Sequence, residues 1–170
     1  MEGCSVFKIN DYVIYGMTGV CKIIDIENKT FGDGQEKLYY VLKPVYTSNS
    51  KIFAPADSEK VRIRKLLSSD EIYALTLITP DEKVIAIKDD RLRNDKYSVT
   101  LKNGNITELV KLLKTLYFQR DELNSSGKKL QKFGEKIMKE AEKMLYEEFA
   151  VVINLKATQL ESFLKGQINL

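Results

Sequence analysis

The feature that most constrains this chain is a change of period. Up to about residue 65, apolar side chains tend to recur at every second position; from about residue 68 they recur at every third or fourth. The first spacing lines one face of a strand and the second lines one face of a helix. The switch therefore predicts an α+β chain, with a β domain over residues 1–66 and a helical domain over 67–170. The stretch DYVIYGMTGVCKIIDI, residues 11–26, sets the pattern. Val13 and Tyr15 alternate with Tyr12 and Ile14. Two glycines follow, then Val20, Lys22, Ile24 and Ile26 alternate with Cys21, Ile23 and Asp25. That reads as two short strands around a tight turn. FGDGQ (31–35) is a turn built for positive φ. LYYVLKPV, the polar turn TSNS, KIFAP and VRIR complete five short strands, the pattern of a small barrel or half-open sheet. Pro44 and Pro55 fall at strand ends, where no ladder N–H is lost. One sheet edge is expected to stay available to a partner.

In the second half, Ser69 is the expected N-cap of a helix opening SSDEIYALTLI, with Asp70 and Glu71 in its first turn. TPDEK (79–83) reads as a loop or a second helix start. DDRLRNDKYSVTLKNG is a polar helix, thinly supported by Leu92, Val99 and Leu101 and ended by Gly104. NITELVKLLKTLYFQRDEL starts with Asn105 as cap and Glu108 in the capping-box position. Its apolar face holds Ile106, Leu109, Val110, Leu113, Leu116 and Tyr117. After NSSG a long helix is expected over about 128–152, with Leu130, Phe133, Ile137, Ala141, Met144, Val151 and Val152 inward. Glu148 falls inside that stripe and needs a Lys or Arg partner, or a place at the domain edge. A final helix is expected in KATQLESFLKGQINL. Tyr117 and Phe118 read as core by their spacing, and the tyrosines of the strands read as sheet packing.

Composition narrows the chemistry. The 170 residues contain no histidine, which removes Ser-His-Asp and Cys-His nucleophile systems, the HExxH zinc site and any imidazole base. No phosphate-binding glycine loop and no nucleophile-elbow motif occurs. A carboxylate-based enzyme is the remaining catalytic option. Cys4 and Cys21 are too few for a disulfide framework and read as reduced thiols, with no metal cluster around them. The N-terminus lacks the layout of a secretory signal, and no apolar run approaches the length of a membrane span, so a cytoplasmic protein is expected. The net charge is +3. Residues 83–114 hold eight Lys or Arg against four Asp or Glu, so the excess is local, as in a modest nucleic-acid footprint.

FKINDYVIYGMTGVCKIIDIE, followed by YYVLKPV and KIFAP, resembles the N-terminal module of the CarD family of bacterial transcription regulators, which is shared with the transcription-repair coupling factor. Phe7, Asp11, Val13, Tyr15, Gly19, Val20, Ile23, Ile26, Glu27, Tyr40, Leu42 and Pro55 carry the match. LKNGNITELVKLLKTLYFQRDE and GKKLQKFGEKIMKEAEKMLYEEFA resemble the family's helical half, and the likeness extends from residue 5 to about 155. The resemblance implies a Tudor-like five-stranded β-barrel that docks on the RNA polymerase β subunit. It also implies a C-terminal all-helical domain lying against promoter DNA near the upstream edge of the melted region. Such a protein would modulate open-complex stability, with no enzymatic activity and no cofactor.

By position, the polymerase-facing residues implied are Lys29, Lys51, Ile52 and Phe53, with strand addition at a sheet edge as the physical mode. The DNA-facing residues implied are Lys88, Arg91, Arg93 and Lys96, through backbone phosphates. One departure stands out. Many relatives carry a Trp wedge ahead of the basic stretch, and this chain has no Trp. The position falls on Ala86 or Asp90; Ile85 or Ile87 is the expected apolar substitute, and DNA contact is expected to be weak and sequence-nonspecific. The expected state is a monomer away from membranes. The competing reading is an interaction adaptor that docks on polymerase or another partner without touching DNA.

Overall fold

The computed structural model describes residues 7–32, 34–47, 50–57 and 63–167. Cys4, the middle of the FGDGQ turn, part of TSNS, the start of VRIR and the last three residues lie outside these. The chain divides into two compact units, Met1–Leu66 and Leu67–Leu170.

The first unit is an antiparallel sheet of β1 (Tyr12–Tyr15), β2 (Gly19–Phe31), β3 (Gln35–Pro44), β4 (Ile52–Pro55) and β5 (Ile63–Lys65). The strand order is β4-β3-β2-β1-β5. Among the described residues the sheet is open rather than a closed barrel. Closure needs the two edge strands alongside each other, but β4 pairs with β3 and β5 with β1. The strands are also less uniform than their sequence spacing suggests, since β2 alone is 13 residues long. A single 3-10 turn, Gly16–Thr18, joins β1 to β2, with Gly16 and Gly19 at positive φ.

A bulge in β2 decides which side chains share a face. Ile23 pairs with Leu42, but the next rung is Asp25 with Val41. The extra residue reverses the alternation. Ile26 therefore joins Cys21 and Ile23 on the core face, with Phe7, Val13, Tyr40, Leu42 and Ala54. The second face takes Tyr12, Lys22, Lys29, Phe31, Lys37, Tyr39, Lys43 and Phe53 by register.

The second unit contains α1 (Ser69–Ala74), α2 (Glu82–Ile85), α3 (Asp90–Asn103), α4 (Ile106–Ser125), α5 (Lys132–Ile153) and α6 (Leu160–Leu164). The cap of α1 is Ser68, one residue before the expected Ser69: its hydroxyl accepts the Glu71 N–H, and the Glu71 carboxylate accepts the Ser68 N–H at 2.7 Å. Gly104 ends α3 at φ 62°, and Asn105 caps α4 by accepting the Glu108 N–H at 3.1 Å. In α3 the buried side chains are Tyr97 and Leu101, whereas Leu92 and Val99 face solvent. In α5, Phe149 is fully buried and Phe133 exposed. Tyr117 belongs to the core and Phe118 does not, at 44% exposed.

Glu148 is fully buried, and its Oε1 accepts the Leu67 N–H at 2.8 Å. A backbone donor from the first residue of the unit meets it. Such a bond to a carboxylate is charge-assisted and offsets part of the desolvation cost. It fixes the first residue of the helical unit onto α5.

Candidate polymerase-docking edge and basic helix

The free edge of β4 is the first candidate surface. Ala56 N–H donates to Leu38 O at 2.9 Å, and the register pairs Ala54 with Tyr40 and Ile52 with Leu42. Alternation then turns the N–H and C=O of Phe53 away from β3. Pro55 offers no N–H, so a strand added to this edge gains its paired bonds at Phe53 and loses them beyond Pro55.

Side chains concentrate at the same place. The Lys29 Nζ sits 4.4 Å from the Phe53 ring centroid and 3.0 Å from Glu27 Oε2. Phe31 packs against Phe53 at 5.9 Å and against Tyr39 at 5.0 Å, the latter edge-on. Phe31 nevertheless stays 46% exposed. The β2–β3 hairpin thus brings Lys29 beside Phe53 although they are far apart in sequence. Lys51 is exposed just before β4. Ile52 differs from the expectation: its side chain packs on the core cluster, so only its backbone lies near the edge. Phe31 and Tyr39 are additional members of the patch. Sequence reasoning missed them because their proximity depends on the register beyond the β2 bulge.

The second candidate surface is α3 and the loop before it. Lys88, Arg91 and Lys96 are exposed. Arg93 is committed elsewhere: its Nη1 donates to Ile87 O at 2.7 Å and its Nη2 pairs with Asp90. With its side chain 18% exposed, it ties the start of α3 to the preceding loop. The Gln131 amide also donates to Asp90 at 2.8 Å, and this bond, then Arg93, holds the Asp90 carboxyl below the usual carboxylate range. Asp90 is therefore kept ionised, with its charge offset by Arg93. Ile85 and Ile87 are half-buried, whereas Leu92 and Val99 are 58% and 56% exposed, seven residues apart on one face of α3. The exposed apolar groups in this region are Leu92 and Val99, which sequence reasoning had placed inside.

A cleft of about 130 Å³ separates α2, α3 and α4, lined by Asp81, Tyr97, Lys96, Lys111 and Thr115 among others. Asp81 and Lys111 pair across it at 3.5 Å, and Asp81 N–H donates to Thr115 Oγ1 at 2.8 Å. These groups satisfy one another. Among the described residues no cluster of His, Cys, Asp and Glu could hold a metal ion, and no helix is long and apolar enough to cross a membrane.

Comparison with known proteins agrees with the sheet. No curated protein matches the chain. Residues 7–67 match the family model of the CarD-like/TRCF RID domain, which spans all five strands and ends at the unit boundary. Residues 7–67 therefore carry a CarD-like/TRCF RID domain.

Proposed function

We propose that this chain is a bacterial transcription regulator that docks on the RNA polymerase β subunit through its curled, Tudor-like sheet and contacts promoter DNA through α3. By that contact it shifts the stability of the open complex. The family match of residues 7–67 carries the reading, and the β4 edge supplies its chemistry. An incoming strand exchanges main-chain bonds with Phe53 while Phe53, Phe31 and Lys29 flank it on the second face. Aromatic side chains beside a cation are the usual anchors of such an interface. An interaction module of this kind has no catalytic role to fill.

For DNA, Lys88, Arg91 and Lys96 supply phosphate contacts, and Leu92 takes the place at the groove that the Trp holds in relatives. Contacts made better to melted than to closed promoter DNA move the population toward the open complex. One observation favours the adaptor reading instead. Arg93 is spent inside the fold, and Asp89, Asp90 and Asp95 interleave the remaining cations.

The lifetime of the open complex on a linear promoter, with and without the protein, tests this. The regulator reading expects a changed lifetime that Arg91→Glu/Lys96→Glu abolishes while polymerase retention persists. An unchanged effect in that variant leaves the adaptor.

A further inference from the structure

On the second face of the sheet, Tyr12, Lys22 and Lys43 stand side by side across β1, β2 and β3. The register pairs Tyr12 with Lys22 and Lys22 with Lys43. Like charges directly opposite on an antiparallel pair are destabilising. The sheet has a second such pair, Lys29 with Lys37, but there Lys29 is matched by Glu27 at 3.0 Å. Among the described residues, neither Lys22 nor Lys43 reaches a carboxylate within ion-pair distance. Asp25, on the same face, uses its Oδ1 to accept the Ile26 N–H instead. Among the described residues the Lys22 ammonium has one loose contact, 5.9 Å from the Tyr12 ring centroid. Tyr12 itself is 43% exposed and Lys43 is exposed.

We infer that this row is a nucleic-acid contact, in which Lys22 and Lys43 take consecutive backbone phosphates and the Tyr12 ring lies against the strand. The row spans three strands, about 10 Å at roughly 4.8 Å per strand. That length covers about three consecutive charges of one nucleic-acid strand, spaced about 3.4 Å apart along its axis. A protein partner fits less well. Protein interfaces gather around an apolar centre, but Val20 and Val41, which flank the row, are each 1% exposed. The row offers ammonium groups and a single ring, which suits a solvated polyanion. Lys43 stands on β3, two residues from the Val41 that pairs with Phe53, so the row borders the β4 patch on the same face, and it belongs to a different unit from α3; polymerase binding is therefore read beside DNA binding in the test.

The test uses the full chain and a fluorescein-labelled DNA duplex, with anisotropy titrations between 50 and 200 mM salt. Lys22→Gln/Lys43→Gln is compared with Lys129→Gln/Lys139→Gln, which removes two exposed cations elsewhere. The inference expects the first variant to flatten the slope of log affinity against log salt by about 1.8, from about 0.9 per lost phosphate contact, with no such change in the second. It also expects the first variant to melt at an equal or higher temperature, because the repulsion is gone, and to keep polymerase binding. Equal salt slopes for the two variants overturn the inference, as does wild-type binding to polyglutamate as tight as to DNA. A loss of polymerase binding in the first variant would assign the row to polymerase and overturn it too.

Discussion

Removing the Arg120–Glu161 pair separates two accounts of how the C-terminal segment is held. Arg120 on α4 grips Glu161 on α6 with two bonds, Nη1 to Oε2 at 3.0 Å and Nη2 to Oε1 at 2.5 Å. It also bonds Asp121, and Lys165 bonds both carboxylates at 2.7 Å. Both cations lie over the Tyr117 ring, at 5.1 and 5.6 Å. At 4 Å and an effective dielectric near 20, one such pair has a gross attraction of about 4 kcal/mol. The side chains are 24% and 34% exposed, so solvent screening, desolvation and ordering cancel most of it. The bidentate geometry and the network place the remainder near about 1 kcal/mol. Burial of Leu160, Phe163 and Leu164 is worth more, at roughly 1.5–3 kcal/mol for each large side chain. The account thus makes α6 a hydrophobically docked segment whose charges set its register. A double-mutant cycle of Arg120→Met and Glu161→Gln, followed by urea denaturation, should give a coupling of about 1 kcal/mol. A coupling above about 3 kcal/mol would refute the screening argument, and one indistinguishable from zero would refute the network.

The same network makes stability depend on pH. The Arg120 bond holds Glu161, and the Lys165 bond holds Asp121, below the usual carboxylate range. A depressed carboxyl contributes fully above its ordinary value and loses that contribution as pH falls through the lowered one. The wild type should therefore lose stability as acid is added below about pH 4.5, more steeply than Glu161→Gln; parallel curves would contradict this. Phe149→Ala removes a fully buried ring that meets Phe163 edge-on at 6.1 Å, and should cost about 3–5 kcal/mol, whereas exposed Phe133→Ala should cost well under that by the same denaturation. Ser68→Ala removes the hydroxyl that accepts the Glu71 N–H, leaves the backbone N–H bond to the Glu71 carboxylate, and should cost about 1 kcal/mol in thermal melts.

The switch of period placed the two halves, and the chemistry of Gly104 and Asn105 placed the α3–α4 junction, because these signals are local. What stayed hidden depends on non-local register. The bulge after Ile23 moves Ile26 to the core face and creates the second face on which Lys29, Phe31 and Phe53 meet. Apolar periodicity also misassigned α3. Leu92 and Val99 fit a helical stripe on paper, but the buried groups are Tyr97, whose hydroxyl donates to Gln119 at 2.8 Å, and Leu101. Counting charges treated Arg93 like Arg91, although one is bound to a backbone carbonyl and the other is exposed. Family likeness pointed to Lys29 and Phe53 separately; their contact across β2 and β4 is a property of the fold.

The central claim is that the β4 edge and its Lys29–Phe53 patch engage RNA polymerase. The measurement that tests it most directly is binding of the full chain to purified RNA polymerase, beside Phe53→Glu and Lys29→Glu variants shown to be folded. The account predicts micromolar or tighter binding that weakens at least about tenfold in both variants, about 1.4 kcal/mol each. Wild-type affinity in both variants, or no binding by the unaltered chain, would contradict it.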